Sequence, residues 1–293
     1  MKKFTLNRDP EIKINELKRS GVHFIVSRTQ SSCKITIPSR GEVYFKGNSD
    51  YTFAEMRNQK ALKKAVHENI IEKGLVVPIF SPKDIKYHQY SNYVLNELQE
   101  GVKLFDFIEF DITKAYYKVA FNLGYINYDM YLQFINLPKN VRLRFLGSIA
   151  TKKRRYFYSE GQMTSDPEVL EDTLLRQVWF HICKVTDDCL SEFMNLAGDN
   201  FLLYYVDGIY LKKANYTKLV NKISKKYKVE FKEEKVESIV RTYDPNAKCF
   251  KITITKWSDK KKKFVPKDFM LKSQKDPQNG EYKQLLKENN ITE

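Results

Sequence analysis

Phe201-Leu202-Leu203-Tyr204-Tyr205-Val206-Asp207-Gly208-Ile209-Tyr210-Leu211-Lys212-Lys213 reads as two apolar, aromatic-rich strands joined by Asp-Gly. That pattern is the strongest short-range signal for a β-hairpin. Upstream, Leu104-Phe105-Asp106-Phe107-Ile108-Glu109-Phe110-Asp111 reads as another strand, and it ends on a carboxylate. Helical patterns surround these strands. One covers 114–123 and closes at Gly124, and another covers 216–227. The longest covers 167–196, where Leu170, Leu174, Val178, Ile182, Val185, Cys189 and Phe193 recur at helical spacing. That stripe is core packing rather than a cofactor box. A strand at 229–231 and a strand pair at 248–257 and 264–271 follow. From residue 104 the order is strand, helix, basic helix, long helix, hairpin, helix, strands. It predicts an α+β fold with helices on one face of an antiparallel sheet.

Further out, 22–26, 34–37 and 42–45 read as strands, with a turn around 30–32. Thr52-Phe53-Ala54-Glu55 is a capping-box pattern that opens a helix over 52–73. Pro78 and Pro82 interrupt the chain, and a helix over 90–100 ends at Gly101. A short helix is expected at 127–134. After Pro138, apolar Leu143, Leu146, Ile149 and Ala150 alternate with Arg142, Arg144, Lys152, Lys153, Arg154 and Arg155.

The 293 residues suffice for one large domain or two modest ones, and 42% hydrophobic content supplies a core. The formal net charge of +15 favours a polyanionic partner, because Lys and Arg release counterions from phosphates. Nineteen Tyr and nineteen Phe suit either a core or base-stacking surfaces. The four cysteines form no CxxC pair, which disfavours a zinc site and fits a reducing compartment. His23, His67, His88 and His181 do not cluster. MKKFTLNRDP lacks the apolar stretch of a signal peptide. No apolar run approaches the ~20 residues of a membrane span. A soluble, cytoplasmic protein without a membrane partner is expected, with the host cytoplasm of a virus or phage as one setting.

Two-metal phosphoryl transfer needs two carboxylates on rigid backbone, one at a strand end and one at a hairpin beside it. Asp111 and Asp207 are such a pair. Each also has a plain structural role open to it: Asp111 as a helix cap, Asp207 as a turn residue. Glu109 shares strand parity with Asp111, so both side chains point to one face. It is either an auxiliary metal ligand or a strand-face carboxylate. Lys152, Lys153, Arg154 and Arg155, and the turn lysines Lys260, Lys261, Lys262 and Lys263, are candidate nucleic-acid contacts or solvated runs. Tyr87, Tyr90 and Tyr93 suit base stacking or packing.

Phe110-Asp111-Ile112-Thr113-Lys114-Ala115-Tyr116-Tyr117 resembles motif A of family B DNA polymerases, Asp-x-x-Ser-Leu-Tyr-Pro. Tyr204-Tyr205-Val206-Asp207-Gly208-Ile209 resembles their motif C, with Asp207 on its second Asp and Tyr205 in place of its first. Arg142-Leu-Arg144-Phe-Leu-Gly147-Ser148-Ile-Ala-Thr151 resembles motif B, with Gly147 for Asn and Thr151 for Gly. The resemblance spans 100–255 and implies a palm in which Asp111 and Asp207 hold two Mg²⁺ or Mn²⁺ ions. It implies that Tyr116 lies under the sugar as a steric gate, and that Ile112, Arg142, Arg144 and Ser148 line the nucleotide. The implied partners are a primer–template, a dNTP and other replication proteins. Motifs A and C also resemble those of reverse transcriptases, where RNA would be the template. A non-catalytic, decayed palm is the third reading. The implied division is an accessory domain at 1–100, a palm at 101–271 with a basic finger-like insertion near 135–165, and a polar tail at 272–293. Residues 1–100 are too short for the usual proofreading exonuclease domain.

Overall fold

Phe107, Glu109 and Asp111 alternate with Ile108, Phe110 and Ile112 along one strand, so each set lines one face of a sheet. The two faces differ in what covers them, and that difference organises the fold around the candidate site. The computed structural model describes residues 3–6, 9–28, 32–38, 40–46, 53–151, 153–246, 249–258 and 261–270.

In chain order the first elements are β1 (Lys3–Leu6), α1 (Pro10–Arg19), β2 (Phe24–Arg28), β3 (Ser32–Ile37), β4 (Gly41–Lys46) and α2 (Phe53–Glu72). β5 (His88–Tyr90), β6 (Lys103–Leu104), β7 (Phe107–Ile112), α3 (Ala115–Asn122), α4 (Tyr128–Ile135) and α5 (Lys139–Gly147) follow. Next come β8 (Lys153–Ser159), β9 (Gln162–Met163), β10 (Glu168–Leu170), α6 (Thr173–Ala197), β11 (Phe201–Tyr205) and β12 (Gly208–Lys212). The last are α7 (Thr217–Tyr227), β13 (Phe231–Asp244), β14 (Cys249–Ser258) and β15 (Lys263–Met270). The chain forms two compact units: Met1–Pro78 with Tyr125–Trp179, and Ile79–Gly124 with Phe180–Glu293.

The first unit holds a sheet in the order β1-β4-β3-β2-β8-β10, with β9 paired to β8. Phe24, Val26, Cys33, Ile35 and Ile37 bury one face against Ile14 and Leu17 of α1. Asp9 caps that helix by accepting from the Glu11 amide at 2.9 Å, and Pro10 occupies its first turn. α4 is capped in the same way, Asn127 accepting from the Met130 amide at 2.9 Å. The expected division at residue 100 is corrected here, because β8 pairs with β2 and completes this sheet. The basic segment after Pro138 is therefore a helix followed by a strand. It belongs with the N-terminal strands rather than to the expected finger-like insertion.

The second unit holds a sheet in the order β15-β14-β13-β7-β12-β11-β5, with β6 paired to β13. All these pairings are antiparallel. Phe110 and Phe231 face helices: Phe110 meets Phe193 of α6 at 5.8 Å and Tyr216, which precedes α7, at 5.9 Å. α3 is tied to the end of α7 by Asn122, whose amide donates to the Tyr227 and Lys228 carbonyls at 3.2 and 2.8 Å. An α+β unit with helices against one face of an antiparallel sheet is what the element order predicts. On the other face β13–β15 curl back, and Phe269 meets Tyr205 with ring centroids 4.6 Å apart.

Several expected elements are corrected. The helix over 90–100 is absent: His88–Tyr90 pair with β11, and only one π-helical turn, Tyr93–Glu97, follows. The strand over 104–111 breaks at Asp106, whose φ is +63°, into β6 and β7. α6 starts at Thr173, because 168–170 pair with β8 and Asp172 accepts from the Leu175 amide at 2.9 Å. The expected strand over 229–231 is displaced: the strand begins only at Phe231 and runs to Asp244. The expected tail at 272–293 lies outside the described residues, as does the start of the capping box at Thr52. Among the described residues no helix is long and apolar enough to cross a membrane.

Asp187 of α6 is 5% exposed and accepts from the Tyr204 hydroxyl at 2.7 Å and the Lys86 amide at 3.1 Å. Tyr204→Phe removes one of these donors from a buried carboxylate, and about 1–3 kcal/mol of stability is lost. Urea unfolding checks this: the midpoint falls while the slope stays constant.

Candidate active site

The hairpin β11–β12 turns one residue earlier than the Asp-Gly pattern indicates. Tyr205 pairs with Gly208, so Val206 and Asp207 are the turn residues and Gly208 opens β12. Val206 has φ +62°, a conformation that is strained for a β-branched residue. Its amide donates to the Tyr87 carbonyl at 2.7 Å. Tyr87 itself has φ +59°. The Asp207 carbonyl accepts from the Ile112 amide at 2.8 Å. Backbone bonds on both sides thus fix the turn that carries Asp207.

Gly208 pairs with Asp111, and Asp111 with Lys232 of β13. The register places Asp207 next to Asp111 at one end of two neighbouring strands. It also gives Gly208 a role other than turn formation, since its φ is not positive. A Cβ there would lie 3.1 Å from Glu109 Oε1 and 3.4 Å from Asp111 Oδ1. The glycine lets the Glu109 and Asp111 carboxylates lie close against β12.

Glu109 is 2% exposed. Its Oε1 accepts from the Tyr210 hydroxyl at 2.8 Å, and Lys256 Nζ lies 3.0 Å from both carboxylate oxygens. A buried carboxylate needs such partners, since an unpaired charge away from water is costly. Burial pulls the Lys256 pKa down, but the charge and hydrogen bond of Glu109, then Asp111 and Glu234, outweigh it and raise the value. Burial, Glu109, Asp111 and Asp207 together push the Tyr210 hydroxyl well above its usual range. Four strands thus converge on one acidic focus.

Asp111 and Asp207 are both half-buried, and Ile112 is fully buried behind them. The N-cap of α3 is Lys114, with no side-chain cap bond, so Asp111 is not the helix cap. Tyr116 is half-buried on α3. Burial, then Cys183, then the Asp207 charge push its hydroxyl well above the usual range, which places it within reach of the turn's field. Cys183, hydrogen-bonded to Tyr87, is itself pushed up to about 12 by burial.

The second unit therefore brings together Asp111, Asp207, Glu109, Ile112 and Tyr116. The remaining expected residues of 142–155 lie in the first unit. Arg142 Nη1 donates to the Ile135 carbonyl at 2.9 Å, and Ser148 Oγ to the Phe145 carbonyl at 2.7 Å. Lys153, Arg154 and Arg155 lie on β8, and Arg155 pairs with Glu168 at 3.0 Å. The Lys153 pKa is lowered by burial, then by Lys34 and Arg155. Lys261, Lys262 and Lys263 are exposed at the β14–β15 turn. Lys152, Lys260 and the Arg144 side chain lie outside the described residues. Sequence reasoning missed Lys256 and Tyr210. The signal for Lys256 was its inward parity with Ile252 and Ile254 on one strand.

Among the described residues no group of three or more His, Cys, Asp or Glu side chains is arranged to hold a metal ion. A hard divalent cation suits the Asp111–Asp207 pair, because Mg²⁺ takes few protein carboxylates and keeps water or phosphate ligands. The chain matches no protein-family model and no curated protein sequence.

Gly208→Ala pushes a methyl group against a carboxylate already held by Tyr210 and Lys256. It costs about 1–3 kcal/mol, read as a lowered melting temperature. Lys256→Met leaves Glu109 buried without its cation and costs roughly 3 kcal/mol, most of it recovered in the Glu109→Gln/Lys256→Met double variant. The raised Lys256 pKa sets the sign with pH. Its contribution is complete below the ordinary value of 10.5 and is lost as pH rises through the folded-state value. The wild type therefore loses stability above that pH faster than the double variant, which alkaline urea titrations measure.

Proposed function

We propose that this chain is a template-directed nucleotidyltransferase, similar to a minimal family B DNA polymerase, that extends a primer 3′-hydroxyl with dNTPs. One observation carries the reading: the β7–β12 register sets Asp111 and the Asp207 turn side by side, on a sheet whose opposite face is packed with helices. Asp111 and Asp207 would hold two divalent ions, Mg²⁺ or Mn²⁺. The chemistry supplied by ions held on these two residues would be a lowered pKa for the attacking hydroxyl and neutralisation of the departing pyrophosphate.

The chain's own residues set the conditions for that step. Tyr87 and Ile112 hold the turn by backbone bonds, so Asp207 keeps its place beside Asp111. Lys256 and Tyr210 hold Glu109 in place, and the two aspartates are assigned the ligand-facing role. Tyr116 lies within the field of Asp207 and is assigned the sugar-gating role of the motif it resembles. Lys153, Arg154 and Arg155 are a separate basic strand for nucleic-acid phosphates on the first unit.

A binding protein on a decayed palm is the second reading. The observation that favours it is the Glu109–Lys256 pair, in which a lysine already neutralises one of the acidic groups.

Primer extension with Mg²⁺ or Mn²⁺ tests the proposal. Asp111→Ala and Asp207→Ala each lower incorporation by roughly 10³-fold, since each removes several kcal/mol of charge stabilisation. Extension on an RNA template at a rate equal to DNA assigns the reverse-transcriptase-like variant. Equal incorporation by wild type and Asp207→Ala, or none by a folded wild type that still binds nucleic acid, overturns the catalytic reading.

A further inference from the structure

The β14–β15 ribbon ends in an aromatic pair. Trp257 and Phe264 are register partners, with ring centroids 5.3 Å apart at an interplanar angle of 75°. Lys256, one residue earlier, reaches Glu109, so alternation turns Trp257 and Phe264 to the other side of the ribbon. Trp257 is half-buried, and Phe264 is 39% exposed. The next register pair is Ser258–Lys263. The Ser258 carbonyl accepts from the Lys261 and Lys262 amides at 3.1 and 2.8 Å, which fixes the lysine side of the turn. Lys261, Lys262 and Lys263 are exposed. On the same side, Asp268 is taken up by Thr253 at 2.7 Å and Lys251 at 3.1 Å, so that acid is neutralised.

We infer that the Trp257–Phe264 pair, with Lys261, Lys262 and Lys263, is a binding site for single-stranded nucleic acid. The exposed Phe264 ring and the solvent-facing part of Trp257 offer aromatic surface to bases, and lysines beside them neutralise the phosphates that connect those bases. Charge complementarity points to a polyanion, since Lys261, Lys262 and Lys263 are three consecutive exposed lysines. The rings point to a single strand. In a duplex the base faces are covered by their neighbours, and only the lysines would find a partner. The site uses neither Asp111 nor Asp207. It rests on the nucleic-acid part of the proposed function, but its test is separate from catalysis.

The chain has two tryptophans, Trp179 and Trp257, so Trp179→Phe leaves Trp257 as the only reporter. The full-length variant is titrated in EDTA with oligo(dT) and with a blunt duplex, while labelled-strand anisotropy follows binding. Oligo(dT) quenches Trp257 saturably and the duplex does not. Trp257→Ala and Phe264→Ala each weaken oligo(dT) binding about tenfold, and Trp257→Phe restores most of it. Replacing the three lysines with glutamine lowers the slope of log affinity against log salt by about 2.

Unchanged Trp257 emission at saturating oligo(dT), wild-type affinity in both alanine variants, or equal quenching by the duplex overturns the site. Quenching by oligo(dT) without any primer extension leaves this site standing and sinks the catalytic reading. Extension without a Trp257 response does the reverse.

Discussion

Glu109 is a carboxylate inside a sheet, and burying it is tolerable only if its charge and its lone pairs are met. The partners are far away in sequence. Tyr210 is 101 residues on, and Lys256 is 147 residues on. Meeting both requires β7, β12, β13 and β14 to be in register together. A slip of one residue in any of them would swing its side chains to the opposite face and leave the charge unmet. The same register puts Gly208 opposite Asp111 and delivers the Asp207 turn to its side. The candidate site is thus a by-product of satisfying one buried ion, and it gains its rigidity from that.

The local field also follows. The chain carries a formal charge of +15, yet Glu109, Asp111, Asp207 and Glu234 bear on one small region of the second unit. Lys256 balances part of that charge, and Lys232 pairs with Glu234 at 2.7 Å. An acidic focus within a basic protein suits a cation brought together with a polyanion.

Much of this could be read in the residues, for definable reasons. Asp111 and Asp207 stood out because each follows an apolar run, and such runs specify strands strongly. The hairpin was legible, but its turn was not. Asp-Gly is the common turn dipeptide, whereas here the strained residue is Val206 and the glycine answers a demand for space. β13 was mostly hidden, because Lys232-Glu233-Glu234-Lys235 has low intrinsic strand preference and is strand only through its neighbours. Tyr90 read as the first residue of a helix, and pairing of His88–Tyr90 with β11 overrode that local pattern. The first unit's discontinuity left no trace in composition, since nothing local tells β8 that its partner is β2.

That discontinuity shapes how the chain emerges during synthesis. β2, β3 and β4 are made early, but β2 gains its second neighbour only when Lys153–Ser159 appear. At roughly 5–20 residues per second the delay is on the order of ten seconds. Through that interval a nascent strand edge rich in apolar side chains stands open, and open edges recruit other chains. The same topology makes premature termination costly: a product stopped before β8 carries the apolar strands of the first sheet without the segment that closes it.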